Sequence, residues 1–175
     1  MHQHSTHEQA AINTPDFVSF LKKAKQATYA NNANKPERIE GCKEYIYQDG
    51  PWHYRDYYAG STLFGGMELV RFNHQPIWTM SYYGGILEPA LSHLTINTLT
   101  EQAIFEFLKK ALLLCTSELP LRGPEEFSEG RWGYKNTVQG SIMNFWGHEV
   151  ITYDNVIVCE QRYVGGGLLF ASKIA

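Results

Sequence analysis

Glu68 and Glu149 are the side chains whose setting most needs a chemical explanation. Along a strand, alternate residues share one face, so Phe64-x-Gly66-x-Glu68-x-Val70-x-Phe72 places a carboxylate in the middle of an otherwise apolar face. The same spacing recurs in Phe145-x-Gly147-x-Glu149-x-Ile151-x-Tyr153. An ionised carboxylate buried without a partner is costly. Each Glu must therefore be paired, hydrogen-bonded, protonated or open to a wet cavity. Gly66 and Gly147 remove side-chain bulk beside each Glu, which leaves space for a close backbone or a ligand.

Three chemistries fit these residues. In the first, Glu68 and Glu149 join Trp78, Tyr82, Tyr58 and Tyr163 in an acidic, aromatic-lined pocket. Such a pocket suits a cationic or amine-bearing small molecule, through charge pairing and cation–π contact. In the second, each Glu accepts hydrogen bonds from Tyr or Trp, or pairs with an Arg, and ties strands together. In the third, the two carboxylates perform acid–base catalysis. The third has the least support. His148 points to the opposite face from Glu149, and His74 falls in a hairpin turn. Gly-x-Ser-x-Gly, His-Glu-x-x-His and phosphate-loop motifs are all missing from the sequence. No catalytic residue, metal ligand or cofactor is assigned. His2, His4 and His7 read as an incidental polar tail.

The elements that would hold these residues follow from periodicity. Thr14-Pro15-Asp16 opens a helix with an N-cap hydroxyl and a Pro at the first helical position. Phe17, Leu21, Ala24 and Thr28 give it an apolar face, with Lys22, Lys23 and Lys25 largely outside. Asn31, Asn34 and Pro36 end it. From Tyr45 to Tyr83 the texture is β, with turns at Asp49-Gly50-Pro51, Ala59-Gly60-Ser61 and Asn73-His74-Gln75-Pro76. A linker with Pro89 leads to a second helix, where Thr98-x-x-Glu101 forms a capping box before Ile104, Phe107, Leu108, Ala111 and Cys115. Leu119 to Gly130 reads as a loop or irregular strand, and strands resume from Trp132 to Tyr163.

The second half echoes the first. Phe20-Leu21-Lys22-Lys23-Ala24 returns as Phe107-Leu108-Lys109-Lys110-Ala111, and Tyr82-x-Gly84-Gly85-x-Leu87 as Tyr163-x-Gly165-Gly166-x-Leu168. From Phe64 onward the offset is constant at 81 residues. The pattern predicts an α+β fold of internally duplicated α-then-β units, with two main helices packed on antiparallel sheet or sheets and pseudo-twofold symmetry. Residues 1–13 form a disordered tail, and 14–175 a single domain of two repeats, about 14–90 and 98–175. The copies have diverged, since Trp78 and Met80 match Cys159 and Gln161. Any site is then asymmetric, with the aromatic-rich first half contributing more.

Composition narrows the function. Fifteen basic against 18 acidic residues, without a Lys/Arg block, argue against direct nucleic-acid binding. The longest apolar run is too short to span a bilayer, and the polar N-terminus lacks a secretory signal. Cys42, Cys115 and Cys159 read as reduced thiols, so a cytoplasmic location is expected.

Ala24-Lys25-x-x-Thr28-Tyr29-Ala30, and the block from Tyr54-x-Asp56-x-Tyr58-x-Gly60 through Phe64-x-Gly66-x-Glu68-x-Val70 to Pro76-x-Trp78-x-Met80-x-Tyr82-Tyr83-Gly84, resemble an uncharacterised bacterial domain family. Members also occur behind XRE-type helix-turn-helix domains, which implies ligand sensing or dimerisation. The family brings no residue roles with it. The leading expectation is a small-molecule-binding or sensing domain. The alternatives are a protein-interaction or homodimerisation module built on exposed aromatic strands, and an enzyme using Glu68 or Glu149.

Overall fold

The computed structural model describes residues 11–12, 14–30, 41–87, 99–118 and 120–168. The elements run α1 (Pro15–Ala30), β1 (Lys43–Asp49), β2 (Trp52–Gly60), β3 (Leu63–Phe72) and β4 (Gln75–Ile86). Then come α2 (Glu101–Leu113), β5 (Glu126–Glu129), β6 (Trp132–Ser141), β7 (Asn144–Tyr153) and β8 (Val156–Gly167). All eight strands join one antiparallel sheet in the order β1-β2-β3-β4-β8-β7-β6-β5. Each half is a meander. The two meanders meet where β4 pairs with β8, and there Tyr82 stands opposite Tyr163.

This arrangement corrects the expected α+β class with two main helices. More than half of the described chain is strand and under a quarter is helix. The molecule is mainly one continuous antiparallel sheet, and α1 and α2 are a minor layer over one of its faces. The helical periodicity in the sequence is strong but short. The β4–β8 pairing that fuses both meanders links residues about 80 apart, and no local pattern announces it.

Short links explain the meanders. Asn73 and His74 both have positive φ (47° and 71°), as do Asp154 and Asn155 (50° and 65°). Two-residue hairpin turns of the primed types demand such values, and Asn and Asp tolerate them. At the start of α1, the Thr14 hydroxyl accepts from the Phe17 N–H at 3.3 Å, as an N-cap should. The cap of α2 is Thr100, which accepts from Ala103 N at 3.1 Å. Thr98, expected in that role, lies outside the described residues, as do Asn31, Asn34, Pro36, Pro89 and the N-terminal His residues. Within the stretch read as a tail, Ala11 and Ile12 are buried.

Two cores form on the covered face. Phe17, Phe20, Leu21 and Ala24 of α1 pack with Tyr54, Trp78, Met80 and Phe145. Ile104, Phe107, Leu108 and Ala111 of α2 pack with Tyr134, Ile151 and Cys159. Between the helices and the sheet runs a buried segment, Pro120 to Gly123.

The space beside each strand Gly is filled by the chain itself. Gly66 pairs across the sheet with Tyr82, and Gly147 with Tyr163. In each case a Cβ on the glycine would overlap that tyrosine's ring or hydroxyl. Gly147→Ala should therefore destabilise the fold by about 1–3 kcal/mol through overpacking. Urea denaturation measures this, and a change below about 0.5 kcal/mol would contradict the close approach.

Candidate functional site

Glu68 and Glu149 are both buried, and each meets a cation on the covered face. The Lys25 ammonium donates to both Glu68 oxygens, at 2.8 and 2.6 Å, and to the Leu121 carbonyl at 2.7 Å. Arg122 grips Glu149 with two bonds, Nε to Oε2 at 3.2 Å and Nη2 to Oε1 at 2.7 Å. The Tyr134 hydroxyl adds a third at 2.6 Å. Lys25 lies four residues after Leu21 and three before Thr28, so α1 carries it inside the buried stripe. The sequence-based placing of Lys25 outside the apolar face is corrected accordingly. Its ammonium has three donors and all three are used.

A second polar tier lies beside these pairs. The Tyr82 hydroxyl donates to Asp56 Oδ1 at 2.7 Å, and Tyr163 donates to Asn136 Oδ1 at 2.8 Å. Asn136 in turn donates to the Gly123 carbonyl at 3.2 Å. Asp56 stands directly across the strand pair from Glu68. Burial and the Glu68 charge push the Asp56 carboxyl up to about 7, against the opposing Tyr82 hydrogen bond and the Lys25 and Arg122 charges. The two Glu are thus already satisfied within the protein.

The cavity lies elsewhere. A space of about 560 Å³ opens between α2, the end of α1 and the first meander, with β8 at one side. That size falls within the range of small-molecule sites. Apolar walls come from Phe64, Phe105, Leu108 and Leu112, with Tyr45 and Tyr58 beside them. Phe64 and Phe105 meet edge-on at 5.9 Å, which joins sheet to helix. Among the six residues singled out from the sequence, Tyr58 and Tyr82 line this cavity. Glu68 and Glu149 sit in their ion pairs, and Tyr163 is tied to Asn136. Trp78 is fully buried in the first core, donating to the Ile142 carbonyl at 2.9 Å.

Three of the polar lining residues, Tyr29, Arg122 and Gln161, are ones that the strand pattern did not single out as ligands. Gln161 is 2% exposed, yet among the described residues neither its Nε2 nor its Oε1 has a partner. The Tyr29 hydroxyl is likewise buried and unpartnered. Burial keeps its pKa well above the usual phenol value despite the Arg122 charge nearby, so it is a neutral donor and acceptor. One sequence signal did point here. At the 81-residue offset Gln161 matches Met80, an apolar core residue.

His148 bonds Glu160 at 3.1 Å away from the covered face, and His74 occupies the β3–β4 turn. Among the described residues no cluster of His, Cys, Asp and Glu could hold a metal ion. Nor is any described helix long and apolar enough to cross a membrane.

The family described as Domain of unknown function (DUF5680) matches residues 56–168. The chain belongs to that family. The DUF5680 span takes in Asp56, Glu68, Tyr82, Arg122, Glu149 and Gln161, whereas Lys25 and Tyr29 precede it. Among solved structures, a chain titled as the ligand-binding domain of a GntR-family transcriptional regulator from Bordetella bronchiseptica matches at 11% identity. That match covers 79% of this chain and 94% of the other, with a TM-score of 0.23. A TM-score this low carries no argument about fold or function. No curated protein matches.

Proposed function

We propose that this DUF5680 protein is a small-molecule-binding or sensing domain whose site is the cavity between α2 and the first meander. One observation carries the reading: a buried amide, Gln161, with both polar atoms unpartnered among the described residues, on the wall of an aromatic-lined space. Leaving such a group unsatisfied costs roughly 1–3 kcal/mol, a cost that a bound ligand would remove. The sequence-based preference for an amine through Glu68 or Glu149 loses its basis, because Lys25 and Arg122 already neutralise those charges.

The two-repeat organisation, about 14–90 and 98–175, is also our inference. It is supported by the pairing of Tyr82 with Tyr163 at the centre of a symmetric strand order. On that reading Met80 and Gln161 are the same position used in two ways.

Gln161→Met therefore tests the site with a residue the architecture already accommodates. Without ligand the variant should be more stable than wild type by about 1–3 kcal/mol, since the unsatisfied amide is gone. Across a mixed fragment library, ligands that raise the wild-type melting temperature should lose their effect. Equal stability together with unchanged ligand shifts would sink the proposal.

A second reading, a protein-interaction or homodimer surface, draws on the opposite face of the sheet. Tyr83, Trp146 and Val164 are 65%, 52% and 58% exposed there, and Trp146 pairs directly with Val164. Sedimentation of wild type and Trp146→Ser distinguishes a dimer built on this face from a monomer.

A further inference from the structure

The charges around the cavity say what kind of molecule it takes. Lys43, Lys109 and Arg122 line it, with Glu101 as the one lining carboxylate among the described residues. The Lys43 ammonium also lies 5.7 Å over the Tyr58 ring, so that aromatic face already has a cation. An entering amine would meet the Lys43 ammonium, and the Glu149 carboxylate is already taken by Arg122.

The hydrogen-bonding groups point the same way. Arg122 spends Nε and Nη2 on Glu149, and its Nη1 makes no bond to a described residue. Gln161 Nε2 and the Tyr29 hydroxyl are also without partners. These three lining residues offer more donors than acceptors, and a guanidinium can serve two carboxylates because it carries five N–H groups in a plane. Beyond them the walls are apolar, with Phe64, Phe105, Leu108 and Leu112.

We propose that the cavity takes an organic carboxylate, its acid group against Arg122 Nη1, Gln161 Nε2 and the Tyr29 hydroxyl and its apolar or aromatic body against the Phe64–Phe105 wall. This rests on the cavity being the binding site and adds the chemical class. The single Tyr29 proton goes to the carboxylate, and Gln161 Oε1 is left for a donor elsewhere on the ligand. Glu149 stays on the opposite edge of Arg122 and holds the guanidinium in place. No bond is made or broken in the ligand.

A matched trio of probes tests it: 2-naphthoate, 2-naphthamide and 2-naphthylmethylamine, titrated by calorimetry into the full chain. The acid should bind most tightly, the amide about tenfold more weakly, and the amine not measurably. Gln161→Met and Tyr29→Phe should each weaken naphthoate binding by about tenfold or more. Both variants leave the Arg122–Glu149 pair intact, so their folding is not at stake.

An amine that binds as tightly as the acid, and is lost in Gln161→Met, overturns the carboxylate assignment while the cavity stands. Naphthoate binding unchanged in both variants overturns the assignment, and so does no naphthoate binding at millimolar concentration. In either case the fragment library judges the cavity separately.

Discussion

Lys25→Met should cost about 3–5 kcal/mol, because it strands Glu68 in the core without a counter-charge. Lys25 and Glu68 are each 0% exposed, and the ammonium supplies hydrogen bonds to both carboxylate oxygens. The Leu121 carbonyl would lose its bond at the same time. Water cannot compensate at a site this deep. Methionine fills most of the lysine's volume, so the loss is electrostatic rather than a cavity effect. The double variant Lys25→Met/Glu68→Gln should recover much of the deficit, since it removes the charge along with its partner. Urea midpoints of the two single variants and the double give the coupling directly. Simple additivity would mean that the pair is not the unit described.

Asp56→Asn should stabilise the protein above neutral pH and change it little in acid. Asp56 is 5% exposed, and its folded pKa of about 7 lies above the ordinary value of 3.8. Between those values the folded state holds a proton that the unfolded chain releases. Stability therefore falls as pH rises from about 4 to 7, and is level above that. The slope from one such group is up to about 1.4 kcal/mol per pH unit. Asparagine carries no charge to bury, and Asn136 already accepts a tyrosine proton in the same way at 2.8 Å. The variant should thus gain on the order of 2–4 kcal/mol at pH 8 and lose the slope. Parallel pH profiles for wild type and variant would place the proton elsewhere. Lys25→Met should extend the same fall to higher pH, because the Lys25 charge is one of the influences holding Asp56 down.

Much of this interior is legible in the sequence. Period-two alternation put Glu68 and Glu149 on a covered face, and both are buried. Asn73-His74 and the glycines marked turns by backbone chemistry alone. The partners were harder to read, because they come from elements whose residue types conceal them. Lys25 looks like a solvated charge until its neighbours Leu21 and Thr28 are seen to be buried. Arg122 sits in a segment with Pro120, Pro124 and two glycines, which reads as a loop or irregular strand, yet it is 4% exposed. The space beside Gly66 and Gly147 was foreseeable, but only the cross-strand register shows that Tyr82 and Tyr163 occupy it. The helices stand out in the sequence beyond their share of the fold for a similar reason. Helical faces repeat locally, whereas a β4–β8 seam is a long-range pairing. Gln161 was visible as a divergence from Met80, without anything in the sequence to say that its amide would be left unpartnered.

The central claim is that Gln161 belongs to a binding site and not to a structural tie. The most direct measurement is the NMR signal of the Gln161 side-chain amide, identified by its absence from Gln161→Met, during titration with any fragment that raises the melting temperature. The account predicts that this pair of proton resonances shifts and gains protection from exchange as the fragment saturates. Fragments that stabilise the protein while leaving the Gln161 amide resonances unmoved would contradict it.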